Sequence, residues 1–219
     1  MIVVVGSLAW REAPVAAPAG RAPEIAIAAA ARGAQAEVVG RVGDDGTGDA
    51  LVIALARAGV GHAAVLRDPV HGTPVLTPPP ADDPDPFADD TARPVASPGG
   101  PRLEAADVSL GLTYLTTFAV LVVADDVPVA AMRACVEGAQ FAGAHLVLLV
   151  PPGRLPPVTL PADATVLAAP DVADEGAFAA LVGAYAAAVD AGEAPVAAFR
   201  TATAAVGWEA ALAEGAAPF

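Results

Sequence analysis

The sequence predicts an α/β fold in which a mostly parallel sheet lies between layers of helices. Short apolar runs alternate with alanine-rich amphipathic segments along most of the 219 residues, which is the pattern of repeated βα units. Glycines follow several of the amphipathic segments, as at Gly33, Gly59 and Gly192, where helices commonly end. The length suits one domain with a substantial core.

Five regular elements are predicted in the first third of the chain. Strands are expected at residues 1–5, 36–39 and 63–66, and helices at residues 23–32 and 48–58. From residue 68 to residue 101, proline, glycine and aspartate interrupt the pattern. This composition predicts a solvated loop at its middle, with short strands at the flanks, residues 73–77 and 92–96.

The alternation returns after residue 117. Strands are expected at residues 118–124, 144–150 and 164–168, and Asp125 and Pro128 are expected to cap the helix after the first of these. Helical spacing predicts three apolar faces. They consist of Val129, Met132, Val136 and Ala139; of Phe178, Leu181, Tyr185 and Ala188 in a helix at 175–191; and of Val196, Phe199, Thr203 and Val206 in a helix begun by Pro195.

Composition excludes several classes of function. The chain has 25 acidic and 11 basic residues and a net charge of -14, so it offers no basic surface for nucleic acid, and its overall field disfavours polyanionic ligands such as ATP. Hydrophobic residues make up 55%, yet no apolar run is long enough to cross a bilayer. One cysteine, Cys135, excludes an internal disulfide, and we expect a packing role for it and a cytoplasmic location for the chain.

The segment Gly40-Arg41-Val42-Gly43-Asp44-Asp45-Gly46-Thr47-Gly48-Asp49, with the helix that follows it, carries the most specific motif. It closely resembles the first signature of the ribokinase (PfkB) family of sugar and nucleoside kinases. Weaker resemblances follow in family order at Gly72-Thr73-Pro74, at residues 98–103 and at residues 120–128. The resemblance implies a single ribokinase-like domain over residues 1–219, with a Rossmann-like three-layer αβα core and a small β lid from about residues 8–20 and 67–102.

The resemblance also implies a substrate site, with altered chemistry. Arg11 stands where the family has an aspartate that binds sugar hydroxyls, and Gly20 and Glu24 belong to the segment matching the family's sugar loop, with Glu24 in place of an asparagine. Gly43 and Asp45 of the glycine-rich turn complete the predicted substrate-binding set. Unmatched buried polar groups cost about 1–3 kcal/mol each, so a polyol site tuned to the family's hydroxyl pattern would not survive both changes, although a different ligand could still fit.

The family's second signature, of Gly-Ala-Gly-Asp type, supplies a catalytic base at the start of a helix whose N–H groups hold the transferred phosphoryl group. The best alignment places Gly176 at the base position and puts Asp174 and Glu175 at the helix start, where their charges occupy an anion site. A rival alignment makes Glu175 a magnesium-linked remnant. Loss of a general base costs about 10²–10⁴ in rate, so no catalytic residue is assigned.

Three functions follow from this comparison. The favoured one is a pseudokinase that needs no cofactor and binds a small polar ligand or a partner chain. The second is an active carbohydrate or nucleoside kinase that uses Mg-ATP through Asp174 or Glu175. The third is a structural module that forms a homodimer, since lids of this family often pair across a two-fold axis.

Overall fold

The computed structural model describes residues 1–12, 14–76, 100–125, 127–170 and 175–206. Nine strands and six helices lie in these ranges. The strands are β1 (Ile2–Val5), β2 (Ala9–Arg11), β3 (Ala17–Ala19), β4 (Ala36–Gly43), β5 (Val60–Asp68), β6 (Val75–Leu76), β7 (Val120–Val123), β8 (His145–Val150) and β9 (Thr165–Ala168). The helices are α1 (Arg21–Ala30), α2 (Gly46–Arg57), α3 (Ala105–Tyr114), α4 (Val129–Ala142), α5 (Glu175–Asp190) and α6 (Pro195–Val206).

Six of the described strands form a parallel sheet in the order β5-β4-β1-β7-β8-β9. Strand β1 lies at its centre, with Ile2 paired to Ala36 of β4 on one side and to Val120 of β7 on the other. All four residues of β1 are buried, because the sheet is covered on both faces, which is why such strands read as continuous apolar runs.

Two apolar clusters fill the space between the sheet and the helices. One contains residues of α1, α2, α5 and α6, and the other contains residues of α3 and α4. Adjacent residues of β1 alternate between them, with Val4 in the first cluster and Val5 in the second, as the two-residue period of a strand requires. The predicted three-layer αβα architecture is confirmed.

A second, three-stranded sheet in the order β3-β2-β6 forms the small lid. It joins the two segments that the sequence assigned to the lid, since β2 pairs with β3 in antiparallel fashion and with β6 in parallel. The strand predicted at residues 92–96 and the loop before it lie outside the described residues.

Some predictions about the helices are wrong. Helix α3 was not predicted, because only Val108 and Gly111 of its ten residues are buried and its apolar periodicity is weak. No side chain caps α4 at Pro128; Asp125 instead contacts the end of β1. In α6 Thr203 of the predicted face is buried, but so are Ala198 and Ala202, whereas Val196 is 69% exposed, because α6 packs through small residues.

Side chains in the interior behave as packing and bracing groups. Burial raises the pKa of the Cys135 thiol to about 12, consistent with the predicted packing role. His145 of β8 lies with its Nε2 atom 3.0 Å from the hydroxyls of both Thr165 and Tyr185, which ties β8, β9 and α5 together. Burial lowers the pKa of His145, against the opposing attraction of Asp163. Among the described residues, no helix is long and apolar enough to cross a membrane.

Candidate ligand-binding site

The candidate site lies at the carboxyl ends of β1 and β7, where the chain changes direction across the sheet. After β1 the chain builds β4 and β5 on one side, and it returns to the other side with β7. Ligands of open α/β sheets bind in the crevice at such a switch point. Here the backbone N–H of Ser7 donates a hydrogen bond of 2.7 Å to the carboxylate of Asp125.

Two glycines keep this crevice narrow. A Cβ atom on Gly6 would lie 2.5 Å from Oδ2 of Asp125, and one on Gly40 would lie 2.8 Å from the carbonyl oxygen of Gly6. Real Cβ atoms do not approach other atoms this closely, so both positions require glycine if the surrounding backbone stays in place.

Asp125 was not predicted to be a site residue. Its position shortly before a proline favoured a capping role, but it is half-buried at the switch point. The signal that could have found it is its place two residues after the buried strand β7, since polar residues at the carboxyl ends of parallel strands face the crevice.

The lid strands separate the predicted substrate residues. Arg11 pairs with Ala17 and Ala9 pairs with Ala19. Arg11 therefore lies next to the turn of the β2–β3 hairpin, whereas Gly20 follows the open end of the hairpin. Arg11 is exposed, whereas Glu24 is half-buried in the first turn of α1. Gly20 begins α1 with a φ of 96°, a left-handed conformation that favours glycine.

The glycine-rich turn brings Gly43 and Asp45 together and fastens them to the lid. The Asp45 carboxylate accepts hydrogen bonds from the backbone N–H of Gly48 at 2.7 Å, from the backbone N–H of Thr73 at 2.7 Å and from the Thr73 hydroxyl at 2.8 Å. The Gly43 N–H donates to the same hydroxyl at 2.9 Å. Asp45 is therefore both the N-cap of α2 and the bracket that holds the segment leading into β6.

The pKa of Asp45 reflects these contacts. Partial burial acts to raise the pKa, but the hydrogen bonds from Thr73 and Gly48 and the charge of Arg67 outweigh it, so the pKa lies below its usual value. Arg67 also donates a hydrogen bond of 3.1 Å to the carbonyl of Gly43 and pairs with Asp49 at 2.6 Å. The ionised carboxylate of Asp45 thus holds the glycine-rich turn in place through the hydrogen bonds that it accepts.

A second bracket joins the end of β5 to α3. Asp68, 6% exposed, accepts hydrogen bonds from the N–H groups of Val70 and His71, and these lower its pKa to about 2. The His71 ring lies 3.2 Å from this carboxylate and Arg41 lies 3.4 Å from it. Arg41 also pairs with Asp107 in the first turn of α3 at 3.3 Å. No motif in the sequence predicted this group of contacts.

The start of α5 bears on the predicted catalytic positions. The helix begins at Glu175, of which the structure describes the backbone, and Asp174 lies outside the described residues. Gly176 is exposed, and a Cβ atom there would meet no atom within 4 Å. Among the described residues, no group of three acidic, histidine or cysteine side chains could hold a metal ion.

Comparisons with known proteins bear on the fold. No protein-family model and no curated protein matches the sequence. Solved structures do match. Sa239 superposes with a TM-score of 0.68 at 15% identity, over 94% of this chain and 92% of its own. A putative ribokinase II from E. coli, in complex with ATP and Mg²⁺, matches with a TM-score of 0.65 at 14% identity, over 94% of this chain and 91% of its own.

The chain has the ribokinase-like fold. Ribokinase from Arabidopsis thaliana, complexed with ribose and ATP, also matches with a TM-score of 0.62 at 15% identity, over 94% of this chain and 90% of its own. For four other sugar-kinase structures, the match spans 68% of this chain and only 50–55% of theirs. The resemblance read from the glycine-rich motif is thereby confirmed at the level of the ribokinase-like fold.

Proposed function

We propose that this chain is a ribokinase-like protein that binds a small polar ligand at the β1/β7 crevice and does not transfer phosphate. The observation that carries the proposal is the short connection between β9 and α5. Strand β9 ends at Ala168 and α5 begins at Glu175, which leaves six residues. In the resemblance to the family, this interval corresponds to the strands and the turn that form the nucleotide pocket.

The length of this connection limits what it can contain. Two paired strands of about three residues each, joined by a turn of about two residues, need about eight residues. A six-residue connection has no room for such a pair. The number of residues between Ala168 and Glu175 therefore supports the proposal that this chain does not have the adenine-binding elements that the family resemblance places here.

The helix start supports the same conclusion. Gly176, aligned with the family's base, carries no group that could accept a proton. The neighbouring Asp174 and Glu175 add negative charge next to the N-terminus of α5, where a bound phosphate would otherwise gain from the helix dipole. Loss of a base alone costs about 10²–10⁴ in rate.

The crevice itself suits a neutral or cationic ligand with hydroxyl or amino groups. Asp125 is half-buried, and a carboxylate has about four lone-pair sites, so it can accept hydrogen bonds from a ligand beside its protein partners. The short contact between Ser7 and Asp125 orients one oxygen and fixes the carboxylate. No cofactor is part of this proposal.

The test has two parts. Purified protein is incubated with labelled ATP and Mg²⁺ together with pentoses, hexoses and nucleosides, and we expect no phosphorylated product. In parallel, the Tm is measured with the same panel; we expect a shift with one class of polyol that disappears in Asp125→Asn and persists in Asp44→Asn, which alters an exposed aspartate of the neighbouring turn. Product that is absent in Glu175→Ala would establish the kinase instead.

An active Mg-ATP-dependent kinase is the second candidate, favoured by the match over 94% of the chain to a structure that contains ATP and Mg²⁺. It requires Asp174 or Glu175 to hold the metal. A rise in Tm with Mg-ATP that Glu175→Ala abolishes would support it, and a rise with a polyol alone would not.

A structural homodimer formed through the lid is the third candidate. Two valines in the lid segments favour it, since Val15 is 71% exposed and Val70 is 80% exposed. Dimerisation in the absence of any ligand that is abolished in Val70→Asp would support this function. A monomer in solution would refute it.

A further inference from the structure

The loop that leads from β5 into lid strand β6, the β5–β6 loop, is held by two carboxylates. The Oδ1 atom of Asp68 accepts hydrogen bonds from the backbone N–H groups of Val70 at 2.9 Å and His71 at 3.0 Å. Further along the loop, Asp45 accepts a hydrogen bond of 2.7 Å from the N–H of Thr73. Since these contacts fix three N–H groups of one short loop, they also determine where β6 begins.

Strand β6 connects this loop to the neighbourhood of the crevice. The backbone N–H of Trp10 donates a hydrogen bond of 2.8 Å to the carbonyl of Pro74, and Trp10 pairs with Val75 of β6. Strand β2, which contains Trp10, begins two residues after Ser7, whose N–H contacts Asp125 at the crevice. A displacement of the β5–β6 loop would therefore displace β6 and, through β2, the strand next to the crevice.

The two oxygens of the Asp68 carboxylate have different partners. Oδ1 accepts from the backbone of the loop, whereas Oδ2 lies 3.2 Å from the His71 ring and 3.4 Å from the guanidinium of Arg41. His71 belongs to the loop itself. Among the described residues, Arg41 of β4 is therefore the partner that holds this carboxylate from outside the loop.

Arg41 also contacts the beginning of α3. Its Nη1 atom lies 3.3 Å from Oδ2 of Asp107 and 3.4 Å from the carbonyl oxygen of Arg102, whereas its Nη2 atom faces Asp68. The Asp107 carboxylate also accepts a hydrogen bond of 2.8 Å from the backbone N–H of Glu104, which fixes it to the start of the helix. Because a guanidinium is a rigid planar fork, these contacts set the distance between the β5–β6 loop and α3.

The geometry of Arg41 favours a positional role over a stabilising one. Its contacts with the two carboxylates are 3.4 Å and 3.3 Å long, whereas charge-assisted hydrogen bonds of this type are about 2.7–2.9 Å long. Its side chain is only 21% exposed, and its buried Nε atom has no hydrogen-bond partner among the described residues. The arginine therefore loses solvation without an equal gain from its contacts.

We propose that Arg41 is a positioning residue that couples the lid to α3. Through Asp68 it fixes the β5–β6 loop, and through Asp107 it ties that loop to the start of the helix. Weakening either contact of the guanidinium should loosen β6 and β2, while the central sheet keeps its packing. This coupling requires no ligand at the crevice.

Amide exchange of the full chain, followed by NMR, tests the coupling. Arg41→Lys keeps the positive charge, but its flexible ammonium does not hold both carboxylates in one plane. We expect the exchange rates of the Val70 and His71 amides to rise roughly 10-fold, because hydrogen bonds to a charged group protect them. The Val4 amide of the central strand should change by less than about threefold. Arg133→Lys, which alters an exposed arginine of α4, is the matched control and should change none of these rates.

A second measurement follows the lid itself. The chain has two tryptophans, so Trp208→Phe leaves Trp10 of β2 as the one remaining indole. Trp10 is half-buried, and in this background Arg41→Lys should raise its quenching by acrylamide roughly twofold through loss of shielding. Asp107→Asn should have the same effect although it alters α3, because it removes the charge that pairs with Arg41 and keeps an oxygen for the N–H of Glu104.

Three outcomes would overturn the proposal. They are unchanged amide exchange in the β5–β6 loop of folded Arg41→Lys, acceleration of the Val4 amide by the same factor as the loop, and unchanged quenching of Trp10 in Asp107→Asn. The second outcome would assign Arg41 a purely structural role. If circular dichroism shows that neither variant folds, Arg41 serves stability alone and the proposal is likewise refuted.

Discussion

Replacing Asp45 with alanine tests the bracket between the sheet and the lid. Loss of an N-cap carboxylate costs about 1 kcal/mol, and the change also leaves the backbone N–H of Thr73 without its acceptor. Thr73 is 7% exposed, and a buried donor left unsatisfied costs about 1–3 kcal/mol. We therefore expect Asp45→Ala to lower the free energy of unfolding by about 2–4 kcal/mol.

The measurement is urea denaturation followed by circular dichroism, with Asp44→Ala as the control. Asp44 is exposed, so its replacement should change stability by about 0.5 kcal/mol or less. A double-mutant cycle with Thr73→Val should give a coupling energy of about 1–3 kcal/mol, because the two side chains share a hydrogen bond of 2.8 Å.

The pH dependence has a definite sign. The pKa of Asp45 is lower in the folded state than its unfolded value of about 3.9, so its contribution is present above pH ~4 and is lost as the pH falls through the folded pKa. The difference between the wild type and Asp45→Ala should therefore narrow below pH ~4. If Asp45→Ala costs no more than Asp44→Ala at neutral pH, the bracket does not stabilise the fold.

Three further predictions concern other parts of the molecule. The pKa of Asp68 is about 2, so the stability difference between wild type and Asp68→Asn in urea titrations should shrink as the pH falls from ~4 towards 2. Because burial lowers the pKa of His145, wild-type stability should decline as the pH falls below ~6.5, and His145→Gln should lack that component of the slope. In thermal melts Gly111→Ala should destabilise by about 1–3 kcal/mol, since its Cβ would lie 2.8 Å from Val39, whereas Gly176→Ala, in open space near a helix start, should be neutral or stabilising.

Most of the fold could be predicted because the strands are buried on both faces. Such strands are unbroken apolar runs, as in the Val-Leu-Val-Val of β7, and parallel pairing follows from the helices between them. Helix α5 was predicted with the correct buried residues, because Phe178, Leu181 and Tyr185 are large and recur at helical spacing. The predicted face of alanine-rich α6 was only partly correct, since Thr203 is buried whereas Val196 is exposed, because small residues leave little periodic signal.

The candidate site was harder to predict because its contacts join residues far apart in the sequence. Ser7 and Asp125 are 118 residues apart, and the strand order that brings them together depends on where the chain reverses across the sheet. Asp45 could be recognised as belonging to a family motif, but its partner Thr73 is 28 residues away. Local pattern reveals neither contact.

The crevice and the start of α5 both lie at the carboxyl edge of the parallel sheet, but they differ in what they can do. At the crevice, glycines at positions 6 and 40 bring backbone and carboxylate close together, and the brackets at Asp45 and Asp68 fix the segments that enter the lid. At the start of α5, by contrast, six residues connect β9 to the helix, and Gly176 presents no functional group. Binding requires only the first arrangement, whereas phosphoryl transfer requires both a positioned base and a nucleotide pocket. These differences are the reason that we propose ligand binding without turnover as the function of this chain.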